Sequence, residues 1–76
     1  MTVTLTYPAE LKTDADGVTI AFPDVPGATA WGVDEDDALR NGADILRTAL
    51  LEMQAEGVAL PVPGEAHERP MVSATL

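Results

Sequence analysis

Hydrophobic and polar positions change period along this chain. From Thr2 to Tyr7 they alternate, with Val3, Leu5 and Tyr7 on one side and Thr2, Thr4 and Thr6 on the other. Period two in β-favouring residues predicts a half-buried strand. Pro8 then marks a strand end or an edge, with Ala9 to Lys12 continuing after a bulge. Thr13-Asp-Ala-Asp-Gly17 predicts a turn, because Asp16-Gly17 between strand runs is a strong hairpin signal. Val18, Ile20 and Phe22 alternate with Thr19 and Ala21, a second strand. Pro23-Asp-Val-Pro-Gly27 ends it. Ala28 to Gly32 predicts a short third strand carrying Trp31.

After Val33 the period lengthens. Leu39, Ala43, Leu46, Leu50 and Met53 recur at steps of three and four, and Ala38, Gly42, Ile45 and Ala49 widen the stripe. That is one apolar face of an amphipathic helix. Asp34 is the expected N-cap, and Glu35, Asp36 and Asp37 fall where the positive end of the macrodipole favours anions. Gly57 falls where a left-handed residue ends a helix. The helix is thus expected over 35–56, roughly 33 Å at 1.5 Å per residue. Beyond it, Val58-Ala-Leu-Pro-Val-Pro-Gly64 is extended, with Val58 and Leu60 expected to pack back on the seam between helix and sheet. Glu65 to Pro70 is a polar loop, and Met71 to Leu76 a last strand with Val72, Ala74 and Leu76 on one face.

The expected order is β-β-β-α-β. This is an α+β fold: a mainly antiparallel sheet of three to four strands with one long helix packed on one face. A chain of 76 residues makes one small domain, here expected over 1–76. Such a chain buries only about 60% of the surface its unfolded form exposes. There is no cysteine, hence no disulfide framework and no thiolate metal site. No apolar run approaches the 18 or so residues of a membrane span, and the alternating start lacks the basic region of a signal peptide. The expected location is the cytoplasm.

Charge changes the picture more. Thirteen acidic residues against four basic ones give −9, which disfavours contact with a phosphate backbone. A net charge of this sign serves solubility, and it also suits a basic protein partner through steering and complementarity.

Chemistry is thinly represented. Asp34-Glu35-Asp36-Asp37 are oxygen ligands of the kind Mg²⁺ and Ca²⁺ take, but consecutive helical residues fan out by about 100°, so four cannot converge on one ion. The run lacks the spacing and central glycine of a calcium loop; it reads as a cap and a complement to the dipole. His67, between Glu65 and Glu68 in sequence, has no nucleophile in a recognisable motif; Ser73 is the one serine. It reads as a loop histidine. No phosphate-loop spacing surrounds Gly27 or Gly32. No catalytic residue, metal or cofactor is expected. Trp31 leaves two arrangements open. Either Ala28, Ala30 and Gly32 lie under the helix and Trp31 is exposed on the far face, a binding hot-spot, or Trp31 is core and the small residues face out.

Several of these pieces fall in a familiar order. Tyr7-Pro8-Ala9 closes the first strand and an acidic Asp-Gly turn follows. A strand then runs into Phe22-Pro23-Asp24-Val25-Pro26-Gly27. A short strand closes on Gly32, the helix opens Glu35-Asp36-Asp37-Ala38-Leu39, and Gly57-Val-Ala-Leu-Pro61-Val-Pro63 comes last. Over roughly residues 5–64 the chain resembles the HicB antitoxins of bacterial type II toxin–antitoxin systems. The resemblance implies a partial, degenerate RNase H-like fold without nuclease activity. It also implies a partner: a small, basic HicA toxin that cleaves mRNA and whose active site the antitoxin covers. The C-terminal DNA-binding segment usual in the family has no counterpart before Leu76, so DNA binding is not carried over. Trp31 is unusual for its slot.

The expected function is therefore non-catalytic neutralisation of a HicA-type toxin. Asp24, Val25, Trp31, Asp36 and Asp37 are the expected contacts, chosen on charge, on the exposed-tryptophan arrangement and on proximity in sequence. A homodimer or higher homo-oligomer is expected, through a terminal strand edge. The rival is a stand-alone domain of the same kind that binds another protein or a small ligand without a toxin. A residual metal-dependent nuclease is a further alternative. It is disfavoured because the expected strands Thr2–Tyr7, Val18–Phe22 and Ala28–Gly32 carry no Asp or Glu.

Overall fold

The computed structural model describes residues 3–64 and 69–76. Its elements are β1 (Thr4–Pro8), β2 (Glu10–Asp14), β3 (Gly17–Ala21), β4 (Thr29–Gly32), α1 (Glu35–Ala55) and β5 (Met71–Thr75). The fold is α+β, all described pairings are antiparallel, and the N-terminal run makes two strands. β1 pairs with β5, from Thr4 opposite Thr75 to Pro8 opposite Met71. β2 pairs with β3, and β3 with β4. Pro8 has no amide hydrogen to donate at the junction, and the next amide, Ala9, donates to Pro70 O at 2.8 Å. One chain run thereby serves two ladders.

The β2–β3 turn sits one residue earlier than Asp16-Gly17 would place it. Asp14 pairs with Gly17, so Ala15 and Asp16 are the central residues. The Asp14 carboxylate accepts from the amides of Asp16 (2.8 Å) and Gly17 (3.1 Å), which closes the turn from its first residue.

Helix α1 has both ends marked as its sequence demands. Asp34 Oδ1 accepts from Asp37 N at 2.8 Å, and Asp37 Oδ2 accepts from Val33 N at 3.0 Å. Two amides at the entry to the helix are thus satisfied by a reciprocal pair of carboxylates. At the other end Val58 N donates to Met53 O and Gly57 N to Gln54 O, with Gly57 at φ 74°. This is a Schellman termination. It uses Val58 for its amide and leaves the side chain exposed, so Leu60 alone of the expected pair packs against the core.

The core lies between helix and sheets. Ala38, Gly42, Leu46 and Leu50 form the buried helix stripe. Leu39, Ala43, Ile45, Ala49 and Met53 flank it, partly buried. They meet Tyr7, Val18, Ile20, Phe22, Val72 and Ala74 from the strands. Among the described residues no helix is long and apolar enough to cross a membrane.

Candidate partner-binding surface

The expected contact residues part company in the structure. Val25 is a correction: it is 0% exposed, part of the core, and offers no side-chain surface to a partner. The reason is local. Phe22 to Ala28 is a compact loop closed by Val25 N to Phe22 O (3.0 Å), Ala28 N to Val25 O (3.1 Å) and Phe22 N to Ala28 O (3.2 Å). Its two prolines and Gly27 stay outside while Phe22, Val25 and Ala28 turn inward.

Asp24, on the same loop, is half-buried and holds structure. Its Oδ2 accepts from Gly64 N at 2.8 Å. Nearby the Tyr7 hydroxyl donates to Pro61 O at 2.6 Å. These two bonds tie the segment after the helix to β1 and to the 22–28 loop. Burial raises the Tyr7 phenol above its ordinary value, and the Asp24 carboxylate adds to the rise. The sequence offered no signal for this tether, since its partners lie 54 and 40 residues apart.

Trp31 takes the exposed arrangement. Ala28 and Gly32 are buried, Gly32 directly under the start of the helix, while Trp31 is 47% exposed on the opposite face. Ala30 is only partly covered. Paired residues share a face, so Lys12, Thr19 and Trp31 form one row across β2, β3 and β4. Asn41 Nδ2 donates to Trp31 O at 2.8 Å and pins this strand to the helix. Val33 follows, 67% exposed.

Asp36 and Asp37 sit just beyond, in the first helical turn. Asp36 is exposed. Asp37 is engaged by Val33 N and, at 3.5 Å, by Arg40. Contact between α1 and β4, through Gly32 and Ala38, brings Trp31 and the acidic turn to the same end of the molecule. The surface there has an aromatic anchor beside anionic groups, suited to a cationic protein surface.

The far end of the helix has a different feature. A groove of about 340 Å³ runs between the 22–28 loop and one flank of α1. Pro26, Ile45, Ala49 and Met53 give it apolar walls, and Glu52 and Glu56 line it with charge. The last helical turn is without a basic side chain.

β2 does carry Glu10 and Asp14, but Glu10 pairs with Arg69 at 3.0 Å and Asp14 closes a turn. Among the described residues no group of three or more His, Asp and Glu is arranged to hold a metal ion. His67, with Glu65 and Glu68, lies outside the described residues.

A family model described as a HicB-like antitoxin of bacterial toxin–antitoxin systems matches residues 6–73. Among solved structures, a chain of the HicA3 and HicB3 toxin-antitoxin complex has the same fold, with a TM-score of 0.71. It is 21% identical, and the match covers 93% of this chain and 94% of that one. No curated protein matches the sequence.

Proposed function

Because the chain belongs to the HicB-like antitoxin family, as the match over residues 6–73 establishes, we propose that it binds and neutralises a small basic HicA-type toxin without catalysing any reaction itself. The family match carries this reading. The net charge of −9 supports it, since a basic toxin is steered toward an acidic partner. Trp31, Asp36 and Asp37 form the contact region, while Asp24, on the loop beside the other end of the helix, holds Gly64. Copies associate through the open edge of the terminal strand β5, which has one paired side in the described sheets. The complex forms in the cytoplasm.

Calorimetric titration of the purified protein with a candidate HicA-type toxin, while RNA cleavage is followed, tests the reading. Saturable binding with loss of cleavage is expected. The variants Trp31→Ala and Asp36→Lys, at exposed positions, are expected to weaken binding. A folded cognate toxin that does not bind would overturn the proposal. Unchanged affinity in both variants would remove Trp31 and Asp36 from the interface.

A further inference from the structure

Helix α1 is electrostatically asymmetric in an uneconomical way. Its first turn carries Glu35, Asp36 and Asp37 at the positive pole, where acids stabilise. Its last turns carry Glu52 and Glu56 near the negative pole, where acids destabilise, and the two stand four residues apart on one face, where like charges repel. Among the described residues neither has an ion-pair partner: Arg40 and Arg69 are paired elsewhere, and Arg47 Nε donates to Thr75 O at 3.0 Å. Solubility alone would be served by acids anywhere on the surface.

These two carboxylates border the groove of about 340 Å³ beside Pro26. Ile45, Ala49 and Met53 each bury one side in the core and turn part of the rest to the groove. Met53 has the flexible, polarisable side chain that adapts to varied apolar guests. The loop wall is fixed, because Val25 and Ala28 anchor it from beneath. A preformed apolar slot with an unneutralised anionic border fits one chemistry: an apolar side chain flanked by a cation.

We infer that this groove docks a basic amphipathic segment of a partner protein, with an apolar side chain against Met53 and Ala49 and a lysine or arginine between Glu52 and Glu56. The inference rests on the reading of the chain as one that binds a basic protein, and adds a second contact. Glu52 lies fifteen positions beyond Asp37 on α1, about 22 Å along the axis. The two contacts therefore engage separate parts of the partner.

The test uses the ¹⁵N-labelled protein and two probes: a candidate HicA-type toxin, and an acetylated, amidated hexapeptide of alternating arginine and leucine. Each is titrated into the wild type and into a Glu52→Lys, Glu56→Lys double variant. The variant places cations at the negative helix pole, so it is expected to melt no lower than the wild type, which separates lost binding from lost folding. The inference expects both probes to shift the amides of Gly27, Thr48, Met53 and Glu56, and the variant to bind each at least ten-fold more weakly. Thr48→Phe, which fills the groove from an exposed position, is expected to have the same effect. Toxin binding that the double variant leaves unchanged would overturn the groove while the antitoxin reading stands. Peptide shifts at the groove without toxin binding would overturn the antitoxin reading and leave the groove. Groove shifts that depend on the protein's own concentration would assign the slot to a second copy and overturn the inference.

Discussion

The indole of Trp31 lies across Gly17 on the neighbouring strand: a Cβ on Gly17 would stand 2.6 Å from Trp31 Cζ2 and 2.8 Å from Cε2. Gly17 also holds φ 151°, which L side chains rarely adopt. The ring covers a strand position that has no side chain of its own, an aromatic rescue of glycine. Trp31 is thus both exposed and part of what holds β3 to β4. Gly17→Ala is expected to destabilise the fold by about 2 kcal/mol or more, from backbone strain and displacement of the ring. Trp31→Ala is expected to lose about 1 kcal/mol of cross-strand contact. In urea unfolding the pair should fall short of additivity, because each removes the same contact. Full additivity would show that the ring does not act through Gly17.

Gly32 makes a closer approach. A Cβ there would meet the backbone of Asp37 and Ala38, 2.7 Å from Asp37 C. Backbone cannot rotate aside as a side-chain tip does. Gly32→Ala is expected to lift the helix start from β4, at a loss of about 3 kcal/mol and a fall in Tm of about 15 °C. Gly57→Ala offers the contrast. Its φ is 74° but nothing lies within 4 Å of an added Cβ, so strain alone remains. That should cost about 1 kcal/mol. Equal melting temperatures for the two variants would refute the close approach.

Tyr7 gives a pH-dependent signature. Burial first, and then the Asp24 carboxylate, hold its phenol above the ordinary 10.0. The folded chain keeps this proton at a pH where the unfolded chain releases it. The stabilisation is therefore whole below about pH 10 and is lost as pH rises through the folded value. Tyr7→Phe removes the donor to Pro61 O and should lower stability by about 1 kcal/mol at neutral pH. It should also flatten the loss of stability above pH 10 relative to the wild type. A variant with the same alkaline slope would place its origin elsewhere.

The helix start tests the reciprocal caps. Asp34→Ala frees Asp37 N and is expected to remove about 1 kcal/mol, which Asp34→Ser should largely restore. Glu35→Gln, an exposed change in the same turn, should alter stability by no more than about 0.5 kcal/mol. Thermal melts followed by far-UV circular dichroism would show the ranking, and an Asp34→Ala variant as stable as the wild type would deny the cap its role.

Local rules made much of this protein legible. The helix announces itself by the spacing of Ala38, Gly42, Leu46 and Leu50, and both ends by Asp34 and Gly57, because capping acts between residues a few positions apart. The alternation of Val18 and Ile20 against Thr19, and of Val72 and Ala74 against Ser73, places each strand's buried face. The family resemblance rested on such local pieces. Long-range placement was another matter. Pro8 marked an interruption, but that the residues before it pair with β5 and those after it with β3 depends on contacts more than 60 residues apart at one ladder and no more than eleven apart at the other. Val25 looked like loop surface, yet three backbone hydrogen bonds fold the loop so that it enters the core.

The sequence by itself determined periodicity, caps, turn chemistry and charge, since each depends on neighbours along the chain. Only the tertiary structure decided which face Trp31 takes, because that follows from Gly32 admitting the helix on the other side. It alone brought Pro26 beside Glu52 and Met53 to form the groove, and Tyr7 to Pro61. These are meetings of distant segments, set by how helix and sheet pack, and no local pattern encodes them.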